Sequence, residues 1–232
     1  MIRAVFFDLY GTLAGFKPSR FEIQSRVTAD FGITLTPEGV LKGYALADTY
    51  MAKQNTQKPL RKMNNRERSI FFAEYEKLVL SGSGYQVTTE KAREIWRQVR
   101  QQEYSLVPFT DVKPALSVLR DTGLTLGLIS NMGRDGRDLL GELGLDGHLD
   151  FAVTSLEVGV AKPDARIFYA ALNYAQVQPD HALHVGDQIS SDIEGARSVG
   201  ITPILMDRDR NHLDFNSCLR IESLAELSSV IT

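Results

Sequence analysis

One stretch near the N-terminus constrains this chain more than any other: Ala4-Val5-Phe6-Phe7-Asp8-Leu9-Tyr10-Gly11-Thr12-Leu13. Four apolar residues run straight into a carboxylate, and the run breaks at Gly11. A short apolar run closed by a turn signal reads as a buried strand. Asp8 then stands at the strand's C-terminal end, where open α/β sheets bind their ligands. A carboxylate there can attack phosphorus or carbon and can hold a metal. It can equally do no more than cap a loop, and a single motif does not separate these readings.

Three later stretches repeat the pattern. Leu126-Gly127-Leu128-Ile129-Ser130-Asn131 is an apolar run ending in a hydroxyl and an amide. Val160-Ala161-Lys162-Pro163-Asp164 sets a lysine just before a helix start. His184-Val185-Gly186-Asp187-Gln188-Ile189-Ser190-Ser191-Asp192 closes a third apolar strand with two carboxylates. The order is nucleophile, hydroxyl, lysine, acid pair. This order, across nearly the whole chain, resembles the haloacid dehalogenase superfamily of aspartate-nucleophile hydrolases.

The composition is that of an ordinary soluble globular protein. The 232 residues suffice for a large core in one or two domains. Apolar residues make up 43% and charged residues 24%, with a net charge of -3. That balance does not point to nucleic acid or an anionic membrane as a partner. Cys218 is the only cysteine, which excludes an intrachain disulfide and a cysteine-based metal cluster. The N-terminus enters the first strand without a charged-then-apolar leader, and no apolar run approaches the roughly 18 residues of a membrane helix. The expectation is a cytoplasmic enzyme acting on a small molecule.

In chain order, Ala14 to Ser19 reads as a breaker-rich loop. From about Phe21 to Arg100 the pattern is helical. Phe21, Val27 and Phe31 mark a first apolar face, and Gly32 a stop. Thr36-Pro37 marks a second start, with the helix expected to run to about Met51. A third helix is expected over Asn65–Leu80, and a fourth opens at Thr89. Strands alternating with helices resume near Val107: helix 111–121, strand 124–129, helix 134–143, strand 151–154, helix 164–175, strand 183–185, helix 191–199, strand 203–206. This alternation predicts a parallel sheet with helices on both faces. The fold class expected is α/β, a Rossmann-like parallel-sheet core (residues 1–15 and 105–232) with an inserted all-helical domain (16–104). The resemblance implies that the insert is a helical cap of the C1 type, in subfamily IA.

The resemblance also assigns roles. It implies Asp8 as the nucleophile and Lys162 as the cation bridging Asp8 and the transferring phosphoryl group. Mg²⁺ would be held by Asp8, the Tyr10 carbonyl, Asp187 and Asp192, a hard oxygen set suited to that ion. Ser130 and the Asn131 N–H would bind a phosphoryl oxygen, and Thr12 would bond back to the strand end and order the Asp8 loop. Among the four histidines, His184 alternates with apolar residues and reads as a core histidine.

Tyr10 departs from the phosphatase pattern. Phosphatases of the superfamily commonly carry a second aspartate there, as acid and base. Asp-x-Tyr-Gly-Thr is common instead among metal-free 2-haloacid dehalogenases. Those lack the Gly186-Asp187 type of ending and the later Asp192, and they carry an early cap arginine with no counterpart here. The expectation is a Mg²⁺-dependent phosphatase of a small phosphorylated metabolite, with a 2-haloacid dehalogenase or a weakly active binding protein as alternatives. Lys53 to Arg68 holds six cations (Lys53, Lys58, Arg61, Lys62, Arg66, Arg68) against Glu67 alone. It is either a solvated loop or a segment that steers an anionic substrate.

Overall fold

The structure, a computed structural model, describes residues 1–231, without the side chains of Thr56 and Arg61. The chain forms two compact units, Met1–Gly15 with Leu106–Thr232, and Phe16–Ser105.

The first unit is built on strands β1 (Ala4–Phe7), β4 (Thr125–Ser130), β5 (Phe151–Thr154), β6 (Ala182–Gly186), β7 (Thr202–Met206) and β8 (Leu219–Ile221). They lie in the order β5-β4-β1-β6-β7-β8, all parallel. Alternate residues divide between two cores. Val5, Phe7, Leu126, Leu128, Leu183, Val185, Ile204 and Met206 face one, which is closed by helices α5 (Val112–Asp121) and α6 (Gly136–Leu143). Ala4, Phe6, Ile129 and Ala182 face the other, which is closed by α8 (Ala165–Ala175) and α9 (Glu194–Ser198). Both faces are covered, so the strands read as continuous apolar runs rather than as alternating ones. Phe6 and Phe7 are fully buried on opposite faces, each contributing about 1.5–3 kcal/mol. β1 lies between β4 and β6, so the chain departs to opposite sides of it. This is the switch point at which strand ends open a crevice.

Local chemistry sets the helix ends. Asp135 accepts from the N–H groups of Arg137 and Asp138 at the start of α6, and Asp164 from Arg166 N–H at the start of α8. The expected loop at Ala14–Lys17 is instead a strand, β2, in a two-stranded sheet with β3 (Ser105–Pro108). Strand pairing satisfies this backbone, which overrides the breaker signal of Gly15 and Pro18. A Cβ on Gly15 would lie 3.0 Å from the Phe109 ring. β8 and the four-residue helix α7 (Ser155–Val158) are too short to leave a periodic signal.

The second unit consists mainly of helices α1 (Arg20–Ala29), α2 (Pro37–Gln57), α3 (Asn65–Ser81) and α4 (Thr89–Val99). Ser19 with Glu22 and Asn64 with Glu67 form capping boxes, and Thr36 and Thr88 cap the other two starts. α2 runs past the expected end near Met51 because no breaker intervenes before Pro59. The extended Lys58 precedes that proline. An aromatic core joins these helices: Tyr50 stacks on Phe71 and Phe72 on Trp96. In the basic segment, Lys58 Nζ binds both oxygens of Glu67 (2.7 and 2.8 Å), and Arg68 Nε donates to Leu60 O. Lys53, Lys62 and Arg66 stay exposed; the Arg61 side chain lies outside the described set. Among the described residues, no helix is long and apolar enough to cross a membrane.

Candidate active site

Asp8 is the first residue beyond β1. Its N–H donates to Val185 O (2.8 Å), which extends the pairing with β6 by one step. Backbone hydrogen bonds close the turn that follows. Leu13 and Ala14 N–H both donate to Leu9 O (2.8 Å each), and Gly11 N–H donates to Ala14 O (2.9 Å). Gly11 has φ +83°, and a Cβ there would come within 2.4 Å of Asp187 Oδ2. The turn therefore requires glycine both for its backbone angle and for room beside Asp187. Thr12 does not play the part expected for its side chain. Its hydroxyl is buried without a hydrogen-bond partner, because the backbone bonds already close the loop. Its carbonyl accepts from Arg208 Nε and Nη2 (3.1 and 2.8 Å). The same guanidinium binds Asp111 Oδ2 (2.9 Å) and lies over the Phe109 ring.

Lys162, only 5% exposed, reaches into this region from the loop before α8. Its Nζ lies 2.5 Å from Asp8 Oδ1 and 2.6 Å from Asp192 Oδ1. Asn131 fixes the lysine backbone from both sides: its Nδ2 donates to Lys162 O (3.1 Å), and its Oδ1 accepts from Lys162 N–H (2.6 Å). The side chain of Asn131, and not only the N–H that the sequence pattern points to, thus takes part in the site. Ser130, buried at the end of β4, accepts from Met132 N–H (3.2 Å). That leaves its own O–H available to donate.

Asp192 stands in a π-helical turn, Ile189–Ile193, that precedes α9. The sequence pattern predicts an ordinary helix from Ser191. The widening follows from side-chain bonds: Gln188 N–H donates to Asp192 Oδ2 (3.0 Å), and Ser191 Oγ donates to Gln188 Oε1 (3.0 Å). Asp192 and Ile193 N–H both reach Gln188 O. Such turns recur at functional sites. Asp192 has a second neighbour that its sequence pattern does not indicate. His184 Nε2 lies 3.0 Å from Asp192 Oδ1, the oxygen that also meets Lys162. The available signal was the strand period: His184 and Gly186 share a face of β6, and a Cβ on Gly186 would lie 2.3 Å from Asp192 Cγ.

Burial sets the electrostatics. It pushes the Asp8 carboxyl up to about 6; Asp192 adds to this and Lys162 opposes it. Burial alone would also raise Asp192, but Lys162 and His184 outweigh it and hold the carboxyl well below the usual range. Burial acts to lower Lys162, yet Asp192 and Asp8 hold its ammonium above the ordinary lysine value. Burial lowers His184 despite Asp192.

Asp8, Asp187 and Asp192 each offer one oxygen, and these atoms lie within 4.8 Å of one another. Lys162 is shared between Asp8 and Asp192, and Asp187 brings a third carboxylate oxygen to the same place. That donor set fits a hard divalent cation. Tyr10 is half-buried, and its backbone pairs with Ala14.

A family model for haloacid dehalogenase-like hydrolases matches residues 2–200. Haloacid dehalogenase-like hydrolase domain-containing protein 3 of Bos taurus is 45% identical over 87 residues, 38% of this chain and 35% of that protein. The match therefore spans about a third of that relative's length. Glyceraldehyde 3-phosphate phosphatase of Methanothermobacter thermautotrophicus is 28% identical over 100% of both chains. A solved 2-haloacid dehalogenase from Pseudomonas syringae superposes with TM-score 0.59 at 25% identity, covering 100% of this chain and 98% of that one.

Proposed function

The chain belongs to the haloacid dehalogenase-like hydrolases, and on that footing we propose that it is a Mg²⁺-dependent phosphatase of a small phosphorylated metabolite, working through a phospho-aspartate on Asp8. The observation that carries this reading is the gathering of three carboxylates, Asp8, Asp187 and Asp192, at the ends of the central strands, with Lys162 bridging Asp8 and Asp192. The full-length similarity to a phosphatase of a triose phosphate supports the substrate class.

In this mechanism Asp8, Asp187 and Asp192, with the Tyr10 carbonyl, would hold Mg²⁺. When bound, the ion would supply the charge neutralisation that a carboxylate needs to approach a phosphate dianion. Asp8 attacks phosphorus through a carboxylate oxygen. The P–O bond to the leaving group breaks as the bond to Asp8 forms, which splits one hard displacement into two easier ones. Lys162 steadies the Asp8 carboxylate and pairs with a phosphoryl oxygen. Ser130 donates its free O–H to another, joined by the Asn131 N–H at a strand end. Water then attacks the phosphorus of phospho-Asp8, releasing phosphate and the carboxylate. The Thr12 hydroxyl, buried without a partner, has capacity to donate to the bound group. The helical unit (16–104) serves as a C1-type cap.

Tyr10 favours a second reading, the 2-haloacid dehalogenase, in which Asp8 attacks carbon and displaces halide. Against it stand Asp187 and Asp192, whose charges would repel that of Asp8 without a cation. Phosphate release and halide release, each measured with and without a chelator, separate the two. Chelator-sensitive phosphate release supports the phosphatase; chelator-insensitive halide release overturns it. A binding protein of this fold would release neither.

A further inference from the structure

The most unusual group near the site, and one the mechanism above does not use, is a fully buried histidine. His184 is inaccessible on the β6 face that packs against α8, with the Phe168 ring edge-on at 5.3 Å. Its Nδ1 has no hydrogen-bond partner. Its Nε2 has one, Asp192 Oδ1 at 3.0 Å. An ionised carboxylate can only accept, so Nε2 carries the proton and Nδ1 is the bare nitrogen of a neutral ring.

The neighbouring geometry gives that donor a purpose. Gly186, two residues on and on the same face, leaves the space that Asp192 fills. Both Asp192 oxygens are then engaged: Oδ2 by Gln188 N–H, and Oδ1 by His184 and Lys162 together. Lys162 in turn meets Asp8 Oδ1. A continuous series of hydrogen bonds therefore runs from His184 through Asp192 and Lys162 to Asp8. A carboxylate with one fixed oxygen can still swing the other about its terminal torsion, which is broad and two-fold. Gln188 N–H fixes Oδ2, and His184 Nε2–H, carried on the buried strand β6, fixes Oδ1, so the carboxylate that meets Lys162 does not depend on the flexible lysine side chain to hold it.

We propose that His184 is a positioning residue whose Nε2–H locks the Asp192 carboxylate so that Lys162 is held between Asp192 and Asp8. The proposal rests on the phosphatase reading for its consequence in turnover, but not for the hydrogen-bond geometry itself. An apolar core histidine would be replaced best by an apolar side chain; a positioning histidine would be replaced best by a side-chain amide, which keeps an N–H. The two roles thus order the same variants oppositely.

The test compares His184→Gln with His184→Leu and His184→Met, two apolar variants so that one can be read should the other not fold. In the metal-free protein, the ¹⁵N spectrum of lysine ammonium groups reports whether Lys162 is immobilised. The same variants are then assayed with Mg²⁺ and p-nitrophenyl phosphate, alongside thermal melting. The expected result is a slow-exchanging Lys162 resonance in the parent and in His184→Gln, broadened away in the apolar variants. Their kcat should fall about tenfold or more with little change in KM, even where they melt as high as the parent. A Lys162 resonance retained in the apolar variants overturns the proposal, as does kcat in all variants simply following melting temperature. Should the parent release no phosphate from any ester, the phosphatase reading fails, while the ammonium spectra still decide the role of His184.

Discussion

Lys162 Nζ lies 2.5 Å from Asp8 Oδ1 although 154 residues of chain separate them. A buried lysine held this close offsets the charge of a carboxylate whose proton affinity is raised, and under the proposed mechanism it orients that carboxylate for attack. Asp8→Asn is nearly isosteric and can keep the hydrogen bond, but it has no nucleophilic oxygen of comparable power. Turnover should fall by roughly 10⁴-fold or more, with the circular dichroism spectrum unchanged. Near-parental phosphate release from the folded variant would remove Asp8 as nucleophile.

Removing the metal should stop phosphate release, and adding Mg²⁺ back should restore it. Asp187→Asn keeps the shape of the donor but removes its charge. Calorimetric titration should show Mg²⁺ binding weakened by about tenfold or more. Unaltered binding would take Asp187 out of the metal set.

Gly186→Ala tests the space in which Asp192 sits. The added methyl would lie 2.3 Å from Asp192 Cγ, so the carboxylate must shift or the strand must move. A loss of stability of about 1–3 kcal/mol is expected from overpacking, together with a loss of turnover larger than melting accounts for. Full activity with a lowered melting temperature would mean that Asp192 tolerates displacement.

Tyr10 should bias the enzyme towards good leaving groups. A phenol with an ordinary pKa near 10 donates a hydrogen bond but is a poor proton source for a departing alkoxide. Aryl and acyl phosphates should therefore turn over faster than alkyl phosphates, and Tyr10→Asp should gain activity mainly on the alkyl esters. Similar parental rates on both classes, with no selective gain in the variant, would show that another group supplies the proton.

Glu76, in α3, is buried with Gln24 as its partner: Gln24 Nε2 donates to Glu76 Oε2 at 3.1 Å. Burial pushes its carboxyl up to about 7 from an ordinary 4.5, with Gln24 opposing. The folded state thus keeps a proton that the unfolded chain releases between these values. The stabilisation is complete below pH 4.5, declines as pH rises, and is gone above about 7. It amounts to at most about 3 kcal/mol. Glu76→Gln should flatten this dependence, leaving the variant more stable than the parent at pH 8. Parallel urea-melt profiles from pH 5 to 8 would contradict this.

The parallel sheet could be read from the chain because its signals are local. The four apolar residues before Asp8, the run ending at Ser130 and the run ending at Gly186 each carry their own stop. Short-range chemistry also marked the helix start at Thr36-Pro37, since a capping side chain lies within three residues of the N–H that it binds, and the helices expected from Asn65 and Thr89 are capped by their neighbours Asn64 and Thr88. The pairings within the site have no such local signature. Asp192 could be read as a helix-start acid and His184 as packing, because strand period and capping rules see only a residue's own element. Their meeting depends on Gly186 lacking a side chain, on a turn widened by Gln188 and on a lysine delivered from another loop. Asn131 likewise reveals its grip on Lys162 only when β4 and the loop before α8 come together. A hydrogen bond acts over about 3 Å, so partners distant in sequence can be assigned only once the sheet has brought their strand ends side by side.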